Sequence, residues 1–316
     1  MSRYSSKARS SKDKEGLALY EEITSLRDEL SANDKIKKRR KALERLCGLL
    51  RDATVRNRIS SLAVQQARER GHSPAKARSE AMSAFWSLVL DSAFNSTNRL
   101  VAGGKNKLTQ QDIAQPLSLV PLADEALSGS RVRLESYARL SEKNVKRILK
   151  FCFDILDHDE ARTLAELEAM NALLFLCERV DYVAYFRPDN EIMSMLATVE
   201  ASLQGADEVS VAAAKIFSAL VQSCYELGIA LHGIIDQCLI MVSKWCKRHI
   251  TAETYGTREF GDLVRGITTL LRFHPEQSIK PLTRYGRILL SYAKRVHVNA
   301  DSMNRSAIHG YYIAHL

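Results

Sequence analysis

Helix-breaking residues are scarce in this sequence, since its 316 residues include only 6 prolines and 14 glycines. Long stretches therefore contain no residue that ends a helix. Alternation of apolar and polar residues never persists beyond a few positions, and β-branched clusters are rare. Hydrophobic residues make up 46% of the chain and charged residues 26%, which is enough to bury a core. The sequence predicts an all-α protein.

The sequence also lacks the signals of a membrane protein and of a disulfide-bonded one. Lys, Asp or Arg interrupts every apolar run before it reaches a membrane-spanning length, and no secretory segment follows the N-terminus. Its cysteines form no CxxC pair and have no zinc-type spacing to histidine. All six lie in apolar helical sequence: Cys47, Cys152, Cys177, Cys224, Cys238 and Cys246. We expect small buried thiols in a reducing, intracellular compartment and no contact with a membrane.

Catalytic motifs are missing as well. The Gly-Gly-Lys at 103–105 lacks the flanking glycine and the Ser/Thr of a nucleotide-binding loop. No triplet of the HRD or DFG type marks a kinase domain. His158 stands between two aspartates, but no second cluster follows at helical spacing, so a solvated loop is favoured over a metal site. We expect no catalytic residue, metal site or cofactor site in this chain.

Periodic apolar positions predict about ten amphipathic helices joined by tight turns. No fixed repeat period can be counted, so degenerate HEAT-like pairs fit better than tetratricopeptide or ankyrin arrays. We therefore predict an α-solenoid of HEAT-like helical pairs together with a compact bundle.

Composition changes along the chain predict four segments. Pro116, Pro121 and the Gly129-Ser130 pair interrupt the helical pattern, so we expect a connection with one or two short helices there. The sequence stops within a fresh helical pattern at Leu316, and we expect it to continue in a longer protein. The predicted segments are a disordered basic arm (1–14), an N-terminal helical bundle with a basic motif (15–104), a connection (105–135) and a helical-repeat solenoid (136–316).

A basic helix lies within residues 26–52, after a polar break of the kind that caps helix N-termini. Its cations are Lys35, Lys37, Lys38, Arg39, Arg40, Lys41 and Arg45. Its apolar stripe consists of Ile36, Leu43, Leu46, Cys47 and Leu50. Arg39 and Arg40 lie along the edges of that stripe, whereas most of the lysines point away from it. We predict that the two arginine stems cover the stripe while the guanidinium groups pair with acids of the preceding helix, namely Glu22, Asp28 or Glu29.

Three interpretations of the basic cluster remain open. The first is a solvated helix face with inter-helix salt bridges, the second is a nuclear-import signal, and the third is a patch that contacts phosphates. The interpretation as a phosphate-contacting patch is favoured by nearby arginines at positions 56, 58, 68 and 70, but no interleaved aromatic residue supports it. The net charge of +9 is concentrated in residues 3–14 and 35–70. A basic end indicates an acidic partner such as nucleic acid, although solubility alone would also explain it.

The motif resembles the N-terminal motif of the ataxia-telangiectasia-mutated (ATM) and telomere-maintenance kinases, which belong to the phosphatidylinositol-3-kinase-related class. The resemblance rests on a helix ending in leucine, a Ser break, Lys35-x-Lys37-x-Arg39 and the leucines that follow. Residues 137–156 and 223–246 are similar to the N-terminal solenoid of that family. The residues assigned to the motif and to partner binding are Leu30, Lys35, Lys37, Lys38, Arg39, Arg40, Leu43, Leu46 and Leu50.

The resemblance implies a nuclear protein whose N-terminal scaffold docks partner proteins of DNA-damage sensing and brings a serine/threonine kinase to DNA ends or telomeres. ATP and Mg would belong to a kinase domain beyond Leu316, and a dimer would form through that missing part. One alternative is an unrelated helical-repeat adaptor that binds proteins with its concave face. Another is a basic solenoid with weak, non-specific affinity for DNA or RNA.

Overall fold

A computed structural model describes residues 11–32, 35–69, 74–102, 108–128, 140–251, 257–273 and 279–299. These residues form thirteen α-helices, and no strand occurs among them, so the prediction of an all-α protein is confirmed there. The helices are Ser11–Ala32 (α1), Ile36–Arg51 (α2), Ala53–Glu69 (α3), Pro74–Ala102 (α4), Gln110–Ser128 (α5), Glu142–Asp157 (α6), Asp159–Cys177 (α7), Val180–Val183 (α8), Met193–Ser202 (α9), Asp207–Glu226 (α10), Ile235–Thr251 (α11), Thr257–Phe273 (α12) and Ile279–Asn299 (α13). A π-helical turn at Pro188–Ile192 precedes α9, and a 3₁₀ turn at His232–Ile234 precedes α11.

The chain divides into two compact units, Met1–Glu168 and Ala169–Leu316. The division falls within α7, a few residues after Ala165, whose backbone leaves the helical region (φ −144°, ψ 22°). This boundary differs from the connection expected at 105–135. The arm expected at 1–14 also differs, because α1 already begins at Ser11, while residues 1–10 lie outside the described residues.

The first unit is built around α1 and α4. Helix α1 packs against α2, α3 and α4, and α4 also packs against α5 and α6. Trp86 and Phe94 of α4 are almost fully buried, and the Phe94 ring stacks on Phe151 of α6 with centroids 4.5 Å apart. Contacts such as α1 with α4 and α2 with α5 join helices that are distant in the chain order. This is the packing of a bundle, in which one core is shared by several helices.

Helix α5 occupies most of the segment 105–135, which was expected to be a connection with one or two short helices. Its 19 residues continue through Pro116 and Pro121, which the sequence predicted to be interruptions. A proline has no N–H, so the carbonyl four residues before Pro116, that of Asp112, lacks its intrahelical partner. Thr97 of α4 supplies one, since its Oγ1 donates to the Asp112 carbonyl at 2.7 Å. A hydroxyl group from a neighbouring helix thus compensates for the hydrogen bond that the proline removes.

In the second unit, α10 packs most extensively against α12. The approach is close because Gly266 of α12 faces the ring of Phe217 of α10, and a Cβ atom at position 266 would lie 2.5 Å from that ring. An aromatic cluster joins the last three helices. Phe260 of α12 lies 4.4 Å from Tyr292 of α13 and 5.8 Å from Trp245 of α11, measured between ring centroids.

Local sequence signals account for several helix ends. The Ser141 Oγ accepts a hydrogen bond from the Asn144 N–H at 3.4 Å and so caps the N-terminus of α6. Helix α4 begins at Pro74, because proline suits the first position of a helix. Asp189 and Asn190 are of the residue types that cap helices, but both lie inside the π-helical turn that leads into α9.

Candidate functional site

The leucines of the basic motif belong to the core of the first unit. They are at most 2% exposed: Leu30, Leu43, Leu46 and Leu50. Leu30 lies on α1 and the other three lie on α2, so together they form part of the packed interface between these helices. Side chains buried to this degree stabilise the fold and leave no surface for a partner. The expectation that they bind a partner directly is therefore not supported.

Arg40 binds Asp112 through two parallel hydrogen bonds. Its Nε donates to Oδ1 at 2.7 Å, and its Nη2 donates to Oδ2 at 2.6 Å. The Asp112 side chain is only 3% exposed and that of Arg40 34% exposed. Hydrogen bonding to Asp112 raises the pKa of the Arg40 guanidinium above its usual value, despite the opposing effect of burial. The pair is a bidentate, largely desolvated contact that fixes α2 against α5.

The same carboxylate also starts α5. Asp112 Oδ2 accepts hydrogen bonds from the Thr109 N–H at 2.8 Å and from the Thr109 hydroxyl at 2.9 Å. This is one half of a capping box, in which an acid in the first turn reaches back to the N–H of the residue that caps the helix. Asp112 therefore joins helix capping to inter-helix pairing. The Thr-x-x-Asp spacing at 109–112 is the sequence signal for this role.

The predicted ion-pair partners of the two arginines are wrong for Arg40, because its acid lies on α5 and not on α1. Of the α1 acids, Glu22 pairs with Arg45. Arg39 is 7% exposed, and its Nε has no hydrogen-bond partner in the described part of the chain. The predicted burial of an arginine at the stripe edge is confirmed for Arg39, whereas its predicted pairing with α1 is not observed among the described residues.

The lysines form the opposite, solvent-facing side of α2. Four of them are exposed: Lys35, Lys37, Lys38 and Lys41. Lys37 and Lys41 lie four residues apart and so share one face, with Lys38 beside them. None of the four forms an ion pair within the described ranges. We call Lys37, Lys38 and Lys41 the lysine face.

Neighbouring arginines do not extend the lysine face. Arg56 pairs with Glu125 at 3.1 Å and also donates to the carbonyl of Leu50 at 2.8 Å. Arg58 pairs with Glu15 at 2.9 Å. The side chain of Arg68 and the whole of Arg70 lie outside the described residues. Two of the four arginines that favoured a phosphate-binding patch are therefore already engaged within the unit.

Metal binding has no candidate site in the described part of the chain. No group of three or more His, Cys, Asp or Glu side chains there could hold a metal ion. His158 instead accepts a weak hydrogen bond from the Ala161 N–H at 3.4 Å, at the start of α7. No described helix is both long enough and apolar enough to cross a membrane.

The six cysteines are all free and buried, which confirms the prediction of buried thiols. Burial raises the pKa of Cys47, Cys224, Cys238 and Cys246 to about 12, and it raises the pKa of Cys152 and Cys177 as well. Because the thiolate is the reactive form, these cysteines are poor nucleophiles in the folded protein.

Comparison with known proteins gives no relative, since no family model, curated protein or solved structure matches the chain.

Proposed function

We propose that the chain is a non-catalytic helical scaffold that docks a protein partner through the lysine face of α2. One observation carries the proposal: Lys37, Lys38 and Lys41 are exposed, without an ion pair in the described ranges, on a helix whose opposite side is anchored in the core. The Arg40–Asp112 pair and the buried leucines hold that helix in place. A rigid helix that presents unpaired charges suits recognition of an acidic partner surface.

The specific form that we propose is the N-terminal scaffold of an ATM-like serine/threonine kinase of telomere maintenance and DNA-damage signalling. In this form the protein is nuclear, and ATP and Mg belong to a kinase domain outside this chain. Two observations support it. The described residues of the three stretches that resemble the family lie mainly on helices, namely α1–α2, α6 and α10–α11, and the motif leucines occupy the core.

The proposed HEAT-like arrangement gains support from the second unit. There α10 packs against α12, α11 packs against α13, and α11 also contacts α12. Alternate helices thus stack on each other, and one successive pair, α11 and α12, is in contact, as in stacked helical pairs. The first unit has the shared core of a bundle, so we propose the solenoid form only for the helices after the division.

A protein partner is favoured over DNA by the small extent of the lysine face. Lys37 and Lys41 are about 6 Å apart along the helix axis at 1.5 Å per residue. Glu44 and the paired Arg45 follow on the same side, so the run of free positive charge ends there. Three or so phosphate contacts would give only weak, salt-sensitive DNA binding. An unrelated helical adaptor would use the same face in the same way.

Lysine footprinting tests the docking proposal. The full-length protein is purified from its source cells under native conditions, acetylated briefly and compared by mass spectrometry with the isolated chain. We expect Lys37, Lys38 and Lys41 to be protected in the purified assembly and to stay protected after nuclease treatment. The exposed Lys143 and Lys150 of α6 serve as the matched control.

Two results would remove the docking proposal. Equal acetylation of the lysine face in both samples would show that nothing covers it. Protection that disappears after nuclease treatment would show that the partner is nucleic acid and not protein.

The ATM-like form has its own test in the transcript beyond the codon of Leu316. A downstream kinase domain supports it, and a stop codon leaves only the unrelated adaptor.

A further inference from the structure

A cationic groove lies in the second unit between α11 and α13. The two helices run in the same direction, because Asp236 approaches Arg284 (3.5 Å) near their starts and Trp245 approaches Tyr292 (6.0 Å between centroids) further along. Between their exposed sides they enclose a cavity of about 460 Å³. We call this cavity the α11–α13 groove.

Four cations line the groove, namely Lys247, Arg284, Arg287 and Arg295, and no carboxylate does among the residues that the structure describes. Three hydroxyl side chains stand among them: Ser243, Thr251 and Ser291. Cys246 also borders the groove but is buried, and its raised pKa of about 12 keeps the thiol protonated and neutral. The lining thus combines positive charge with hydrogen-bond donors and has no negative group to neutralise it.

Most of this charge has no partner inside the protein. Lys247, Arg287 and Arg295 are exposed and form no ion pair in the described part of the chain. Arg284 has only the 3.5 Å contact with Asp236, and both of these side chains are more than half exposed (51% and 76%). An ion pair of that kind contributes little and is easily exchanged for another anion.

A larger neighbouring cavity of about 840 Å³ provides a useful contrast. Two of its three cations are already engaged, whereas the third, Lys247, also lines the α11–α13 groove. Lys244 pairs with Glu200 at 2.5 Å. Arg248 donates to the carbonyls of Leu203 at 2.7 Å and Gly205 at 2.9 Å, and so caps the end of α9. In contrast to this cavity, the α11–α13 groove presents several exposed cations that form no ion pair in the described part of the chain.

The spacing of the cations identifies the kind of anion. Arg284, Arg287, Ser291 and Arg295 follow each other by three or four residues and therefore share one face of α13. Arg284 and Arg295 are about 16 Å apart along the helix axis at 1.5 Å per residue. A single phosphate group cannot reach both ends of such a row, whereas a chain of regularly spaced phosphates can contact every cation.

We propose that the α11–α13 groove binds the phosphodiester backbone of a single nucleic-acid strand without reading its bases. The phosphates of one strand recur at short, regular intervals, so a row of this length spans several of them. Arginine forks and hydroxyl groups are common phosphate ligands in protein–nucleic acid contacts. Tyr292 is buried in the aromatic cluster, so it does not offer its ring to a base.

The test measures binding of a labelled single-stranded oligonucleotide of about 20 nucleotides to the full chain at about 50 and about 200 mM salt. The groove variant combines Lys247→Ala, Arg287→Ala and Arg295→Ala. The matched control combines Arg272→Ala, Lys280→Ala and Lys294→Ala, which removes the same charge from exposed positions outside the groove. We expect the groove variant to lose about tenfold or more in affinity and its salt slope to fall by about 2, because three phosphate contacts are removed.

A further variant, Arg287→Lys with Arg295→Lys, keeps the charge and should keep the salt slope. Three results with the groove variant, its control and a competitor would overturn the proposal. They are unchanged binding by the groove variant, an equal loss of affinity in the control variant, or equally effective displacement of the oligonucleotide by polyglutamate of the same charge. The last result would assign the groove to an acidic protein segment instead. Loss of all oligonucleotide binding in a variant of the lysine face of α2 would also overturn it.

Discussion

Arg40 and Asp112 lie 72 positions apart in the chain, and their side chains form the most buried bidentate pair of the basic motif. The sequence showed that an arginine at the edge of the apolar stripe would be drawn into the core, because its stem is apolar. It did not show which acid would meet the guanidinium group. The partner lies on α5, a helix that was not predicted because its segment contains two prolines. Burial was therefore predictable from periodicity, whereas pairing depended on a tertiary contact.

The cysteines give a prediction at the same scale. All six are buried, and burial raises their pKa values, so the thiolate fraction near neutral pH is very small. We expect none of them to react with a chromogenic disulfide reagent within minutes under native conditions. All six should react at once in guanidinium chloride. Rapid native reaction of even one thiol would show that its helix opens easily or that its burial is wrong.

Helix α5 illustrates what sequence patterns miss at the level of an element. Proline normally ends a helix, so the interpretation of 105–135 as a connection followed from a sound rule. The rule fails here because Thr97 of α4 bonds the carbonyl that Pro116 leaves free. The hydroxyl and the proline are 19 positions apart, on different helices. Only their packing shows that they belong together.

A double-mutant cycle tests this compensation. Thr97→Val keeps the shape of a fully buried side chain but removes its hydroxyl, and should cost about 1–2 kcal/mol in the free energy of unfolding. Pro116→Ala restores an N–H that can bond the Asp112 carbonyl within the helix. In that background Thr97→Val should cost about 1 kcal/mol less. Additive costs in urea titrations would show that the two residues do not share this carbonyl.

The close contact between α10 and α12 depends on the glycine at position 266, which has no side chain. Gly266→Ala would place a Cβ atom 2.5 Å from the Phe217 ring, which is completely buried. We expect a loss of about 1–3 kcal/mol in unfolding free energy.

Gly286→Ala on α13 is the matched control, since no atom lies within 4 Å of the added Cβ. It should be neutral or stabilise the protein by up to about 1 kcal/mol, because alanine favours the helix. Similar thermal melts for the two variants would contradict the close approach of α10 and α12.

At the scale of the whole molecule, composition and periodicity predicted the helical class and most helix positions. The sequence predicted about ten helices, and the described residues form thirteen. The division into two units after residue 168 was not predicted, because α7 continues across it with no proline or glycine at the boundary. The α11–α13 groove was also missed. Its cations come from two helices that are separated in sequence by a third, so no single stretch shows the cluster.

The basic motif has two sides, an anchored side that holds the bundle together and an exposed lysine face that we propose binds a partner. Urea unfolding of two variants tests this claim directly. Arg40→Ala leaves the buried Asp112 carboxylate without its cation, and since Arg40 is a third exposed we expect a loss of about 2 kcal/mol. The combined variant Lys37→Ala, Lys38→Ala and Lys41→Ala changes only exposed side chains and should lose less than about 1 kcal/mol. Equal losses, or a larger loss in the lysine variant, would contradict the division of the motif into these two sides.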